Sequence, residues 1–149
     1  MLLINRETDY AGRVMLFLSR SPFGTRTTAQ EVARACLVPR AIARRVVTRL
    51  GRAGLLVSSR GSGGGITLAR PPEEITLLDV VEAIEGSPAL NLCVIDPQEC
   101  PLMEDCTVHN AWVRGHEALS AYLRSVNFGS LARQSADAPD ENANWRSAC

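Results

Sequence analysis

The chain is 149 residues long, 46% apolar and 21% charged, which fits one folded unit and leaves no room for a second large domain. Its 16 basic residues balance 16 acidic ones, and every basic residue is arginine. A phosphate-gripping Walker lysine and a Schiff-base lysine are thereby excluded.

The zero net charge conceals a strong polarity. Residues 1–70 carry 12 arginines against Glu7, Asp9 and Glu31, a net +9, whereas residues 71–149 carry 4 arginines against 13 acids, a net −9. Such a division suggests an arginine-rich face for a polyanion and a remainder with a different task. The longest apolar run near the start, Val14 to Leu18, is far short of the roughly 20 residues of a membrane-spanning helix. Arg6, Glu7 and Asp9 break any signal-peptide pattern, so the expected location is cytoplasmic, without a membrane partner. The 5 cysteines, Cys36, Cys93, Cys100, Cys106 and Cys149, are odd in number and favour a metal or redox role there over a disulfide framework.

In chain order, Tyr10, Val14, Phe17 and Leu18 mark an amphipathic first helix stopped by Pro22 and Gly24. Thr28-Ala29-Gln30-Glu31 matches a capping box and starts a second helix, with Val32, Ala33 and Cys36 on its apolar face. Pro39 suits the first position of a third helix, closed by Gly54. At about 100° per residue, Ile42, Val46, Val47 and Leu50 share one side of it, and Arg40, Arg44, Arg45, Arg49 and Arg52 spread over the other with Ala41 and Thr48. Two short helices joined by a tight turn, the second with a cationic outer face, form a helix-turn-helix.

Leu55 to Arg60 and Gly65 to Ala69 read as two strands around Gly61-Ser62-Gly63-Gly64, a hairpin placed as a wing. As a phosphate cradle this loop fails, because it precedes a strand rather than a helix and lacks the lysine. Pro71 to Glu74 form a stiff linker where the charge changes sign. A fourth helix follows, capped by Thr76 and Asp79, carrying Leu77, Leu78, Val80, Val81 and Ile84 inward and ending at Gly86-Ser87-Pro88. Residues 89 to about 106 form an irregular cysteine-bearing loop. Val108, Trp112, Gly115, Leu119, Tyr122 and Val126 then draw an a/d seam along a long helix, a candidate dimer contact. From about Gln134 onward the chain is polar and aperiodic, the pattern of a mobile tail that includes Cys149.

The expected fold is therefore mainly α with a small β-hairpin wing: a winged helix-turn-helix plus a long dimerisation helix. Residues 1–72 form the DNA-binding region, 73–133 the cysteine loop and dimerisation helix, and 134–149 the tail. Arginine forks match guanine edges in the major groove of double-stranded DNA, while other arginines fix register on phosphates. Arg40, Ala41, Arg44 and Thr48 are the base-edge candidates; Arg45, Arg49 and Arg60 are candidates for the phosphates or the minor groove.

The second constellation is Cys93-x6-Cys100-x5-Cys106, with His109 one helical turn further on. Three soft thiolates in one loop can close around an iron–sulfur cluster or zinc, although the C-x2-C knuckle usual for structural zinc is missing. The acidic neighbours Asp96, Glu99, Glu104 and Asp105 would disfavour thiolates unless a metal offset them. A Cys106 nucleophile with His109 as its base would need an oxyanion or substrate site that the sequence does not offer, so no enzyme is expected.

Thr8-Asp9-Tyr10-Ala11, the arginine-bearing third helix, Arg60-Gly61-x-Gly63-Gly64-Gly65, Leu78-x-x-Val81 and the three-cysteine loop before a long helix resemble the Rrf-two family of bacterial winged-helix regulators, over about residues 1–134. That family includes the iron–sulfur biogenesis regulator IscR and the nitric-oxide sensor NsrR. The resemblance implies a homodimeric transcription factor, a repressor, that binds operator DNA. Thr28, Arg40, Ala41, Arg44, Arg45, Thr48, Arg49, Arg60, Gly61 and Gly63 would form its DNA-binding set. It further implies a [2Fe-2S] or [4Fe-4S] cluster on Cys93, Cys100 and Cys106, sensing nitric oxide, oxygen or iron–sulfur status. The fourth ligand is placed either as Asp9, reaching over from the partner subunit, or as His109; the Thr8-Asp9-Tyr10 context inclines to Asp9. A cluster-free regulator responding to thiols or a ligand, and a zinc-stabilised DNA-binding module, are the alternatives.

Overall fold

In the computed structural model, residues 4–96, 98, 100–102 and 105–137 are described. The chain is mainly helical with one two-stranded hairpin: α1 (Arg6–Ser19), α2 (Ala29–Ala35), α3 (Arg40–Arg52), β1 (Leu56–Ser59), β2 (Gly65–Leu68), α4 (Leu77–Glu85), α5 (Leu92–Ile95), α6 (Thr107–Ser125) and α7 (Phe128–Asp137). A 3-10 turn at Pro72–Glu74 occupies the place of the expected linker.

Local chemistry sets the helix starts. The Asn5 carboxamide oxygen accepts from the Glu7 and Thr8 amides and caps α1. Thr28 with Glu31, and Thr76 with Asp79, form complete capping boxes at α2 and α4, as their spacing in sequence requires. Pro39 precedes α3 with an extended ψ of 134° and is not its first residue. In the turn between α2 and α3, Leu37 adopts a φ of 51° with its side chain exposed, a left-handed conformation that a side chain disfavours.

β1 and β2 pair antiparallel from Leu56 opposite Leu68 to Ser59 opposite Gly65. Leu56, Ile66 and Leu68 point into the core. At the tip, a Cβ on Gly64 would collide with the Ser59 carbonyl, so this turn closes only on glycine. The segment before α2 is stitched to the wing, with the Thr27 and Ile66 amides each bonded to the other's carbonyl at 3.0 and 2.7 Å.

One buried cluster runs from Ala11 and Val14 of α1 through Val46 and Leu50 of α3 to Val80 and Ile84 of α4 and Phe128 of α7. The chain leaving α6 is bridged back to the entry of α4, since the Leu77 amide donates to the Val126 carbonyl at 2.8 Å and the Phe128 amide to the Ile75 carbonyl at 2.9 Å. That return seats α7 against α1, with Phe128 only 1% exposed. Two differences from the sequence expectation follow. The 89–106 loop is not wholly irregular, because it contains α5, and the chain beyond Val126 forms a helix that reaches Asp137, into the segment assigned to the tail. The rest of that tail, with Cys149, lies outside the described residues.

Candidate nucleic-acid interface and cysteine cavity

Ala43, Val46, Val47 and Leu50 anchor α3 in the core. That anchoring turns Arg40, Ala41, Arg44, Arg45 and Thr48 to the surface, with Arg49 half-buried on the flank. The arginines then divide by what holds them. Arg40 Nη2 donates to Gln30 Oε1 at 2.9 Å, which ties the start of α3 to α2. Arg45 grips the Glu7 carboxylate of α1 with two parallel bonds, Nε to Oε1 at 2.9 Å and Nη2 to Oε2 at 3.1 Å, and Arg49 Nη1 stands 3.6 Å from the same carboxylate. These contacts hold the Glu7 carboxyl below its ordinary range, with the Arg45 hydrogen bonds as the leading cause. Arg44, Arg52 and Arg60 make no ion pair or side-chain hydrogen bond among the described residues. The Thr48 hydroxyl donates to the Arg44 carbonyl, and the Thr28 hydroxyl serves its capping box, whose bonds from Thr28 also lower the Glu31 carboxyl.

Gly61 and Gly63 lie at the exposed and half-open tip of the wing beside Arg60, and the tip is held from the opposite side. Arg26 Nη1 donates to the Gly63 carbonyl at 2.6 Å, a role that the sequence reading missed. Its only signal in the sequence is one more arginine ahead of the capping box. Glu85 was likewise missed. Its carboxylate accepts from the Asn5 amide and side chain at 2.9 Å and from the Thr8 hydroxyl, fastening the start of α1 to the end of α4, just ahead of the cysteine loop.

Cys93, Cys100 and Cys106 are free thiols, each half-buried, and they line one cavity of about 370 Å³ with Asp96, His109 and Trp112. Cys36 is fully buried beneath α1 instead, its thiol donating to the Arg13 carbonyl at 3.6 Å. The His109 Nδ1 atom is buried and has no hydrogen-bond partner among the described residues. Among the described residues, no three His, Cys, Asp or Glu side chains converge on a single ion-sized point; the donors share a wall. Asp9 does not line this cavity; it sits on the exposed face of α1 and pairs with Arg13 at 2.7 Å. Glu99 and Glu104 lie outside the described residues. Along α6, the expected seam is largely bare, with Val108 58%, Trp112 42% and Tyr122 65% exposed.

A helix-turn-helix with a cationic face, a glycine-tipped wing and a cysteine loop leading into a long helix have close counterparts. The family model described as an iron-dependent transcriptional regulator, Rrf2, matches residues 4–134. This chain belongs to the Rrf2 family. It is 34% identical to the HTH-type transcriptional regulator NsrR of Geobacillus kaustophilus over 145 residues, 97% of this chain and 94% of that protein. Protein aau3 of Rhizobium meliloti is 32% identical over 138 residues, 87% of this chain and 84% of its own length. Among solved structures, the global cysteine regulator CymR of B. subtilis superposes with a TM-score of 0.69 at 27% identity, covering 90% of this chain and 98% of that one. T. potens IscR gives 0.71 at 20% identity, covering 93% of each chain, a likeness of fold. The protein is thus a DNA-binding transcriptional regulator of the Rrf2 winged-helix fold, from a family of regulators and not of enzymes. Among its described residues, no helix is long and apolar enough to cross a membrane.

Proposed function

We propose that residues 1–72 read operator DNA and residues 73–133 carry a switch, in a homodimeric repressor controlled by an iron–sulfur cluster. The observation that carries this reading is the gathering of Cys93, Cys100 and Cys106 around one cavity, whose wall also includes His109. These donors fit the group. Thiolates are its usual ligands, and a spread along a cavity wall suits a body of several atoms better than a single zinc ion, which needs four ligands closed around one point. A bound cluster would supply a redox-active centre for nitric oxide, oxygen or iron–sulfur supply to act on.

The residues of the chain suggest how the two regions communicate. Asp9 would serve as the fourth ligand to a cluster held on the cysteine loop of the partner subunit, and would thereby tie α1 of one chain to the other. With Asp9 released, it returns to its pair with Arg13. Because α1 packs directly on α3, a change at Asp9 alters how the two recognition helices are spaced. Two-fold dimers read half-sites about one DNA turn apart, so such a change disengages the operator and relieves repression. The bare stripe on α6 is the surface through which two copies would pair.

Two other readings have an observation each in their favour. His109 already lines the cavity, so its imidazole would supply the fourth donor from the same chain. A cluster-free thiol switch draws on the similarity to a cysteine regulator. Purification without oxygen, followed by a visible spectrum and assays of iron and acid-labile sulfide, separates the cluster reading, whichever its fourth ligand, from the cluster-free ones. The cluster reading expects a coloured protein carrying both, with the colour abolished in Cys100→Ala. A colourless protein without iron or sulfide, even after reconstitution, transfers the assignment to the thiol switch, and a colourless protein with one zinc transfers it to the zinc-stabilised module.

A further inference from the structure

Glu7 is an anion seated where a recognition helix would otherwise offer two cations. Its side chain is only 17% exposed, whereas the Arg45 and Arg49 side chains that it holds are 58% and 41% exposed. Arg45 presents its Nε and Nη2 together, the fork that a phosphate would also take. Arg49 lies one turn along α3 on the same flank, while Arg44 and Thr48 face outward beside them. Two guanidinium groups sharing one carboxylate leave a trio with a single net positive charge.

We propose that Glu7 determines specificity at the DNA interface by masking Arg45 and Arg49. Phosphate contacts carry no sequence information and supply nearly all of non-specific binding. Withholding two of them lowers affinity for arbitrary DNA and leaves discrimination to the unpaired Arg44 and its neighbours. The inference rests on the DNA-binding assignment of the family and is independent of the cluster.

The test measures binding of the full-length protein to a short random-sequence duplex over a salt series, for wild type, Glu7→Gln and Glu7→Asp. Asn5 caps α1, so both variants keep the helix start. Glu7→Gln is expected to bind more tightly at low salt and to steepen the log-affinity against log-salt slope by about 0.9 to 1.8, the value of one to two further phosphates. Glu7→Asp retains the charge but is one methylene shorter, and it should fall between the two. An unchanged or shallower slope in Glu7→Gln overturns the proposal. So does a steeper slope in Glu7→Gln alongside a wild-type slope in Glu7→Asp, which would reflect overall charge and not masking. Absence of binding by Glu7→Gln even at low salt also overturns the proposal, and binding of the wild type to a duplex selected from a random pool tests the DNA-binding assignment separately.

Discussion

Around α3 the struts are internal: Glu7 reaches Arg45, Gln30 reaches Arg40, Arg26 reaches the wing at Gly63, and Val46 and Leu50 are fully buried. Around α6 the reverse holds. Of its 19 residues only Leu123 is buried, its aromatic seam is exposed, and three free thiols line one cavity together with His109. The α3 region is held together within a single copy, whereas the cysteine region leaves its thiols on a cavity wall and an apolar stripe bare. Under the proposed function, stability and sensing are separable in this molecule, and substitutions should expose the division.

The largest expected effect comes from Phe128, which lies beyond the cysteine region yet belongs to the core of the reading head. Phe128→Ala should cost about 3–5 kcal/mol of unfolding free energy, measured by urea denaturation. A loss near zero would mean that α7 is not part of that core. Next is Tyr122→Arg on the bare stripe of α6, away from the cysteine cavity. It should leave the unfolding of the chain little changed while weakening self-association by about 2 kcal/mol or more, read by sedimentation equilibrium; unchanged association would place the dimer contact elsewhere.

Arg44→Ala should cost about 1–3 kcal/mol on a duplex that the protein itself has selected from a random pool, and much less on random sequence. Equal losses on both would make Arg44 a phosphate contact. The smallest effect concerns acid. The Glu7 carboxyl lies below its ordinary value of 4.5 in the folded chain. Its contribution is therefore complete above that pH and is lost as the pH falls through the lower folded value. Because the partner arginines are well exposed, the stability difference between wild type and Glu7→Gln should be under about 1 kcal/mol at neutral pH and should vanish in acid. A difference that persists in acid would assign it to packing.

Much of the reading head is legible in the sequence because its signals are local. Capping boxes span four residues, the amphipathic period of α3 sorts Val46 and Leu50 from Arg44 and Thr48, and the glycine run fixes the wing. What escapes the sequence is held by distant partners. Glu7 and Arg45 are 38 residues apart, Arg26 and Gly63 are 37 apart, and Asn5 and Glu85 are 80 apart, with no pattern linking either member to the other. α7 was invisible for a similar reason: Phe128 and Leu131 are too few to show a period, and the helix exists through their burial against the core. The cysteine spacing announces a site, but only the fold shows that His109 joins its wall while Asp9 faces elsewhere.

Because Asp9 stands apart from the cavity of its own chain, its proposed exchange between subunits is best probed by removing the metal. The affinity of wild type, Asp9→Ala and His109→Ala for a duplex selected by the wild type would be measured without oxygen, before and after iron is stripped with a chelator. Stripping should cause a large loss of affinity in the wild type and in His109→Ala, and none in Asp9→Ala, although that variant should still carry iron and sulfide before stripping. An Asp9→Ala protein that responds as fully as the wild type would contradict the exchange.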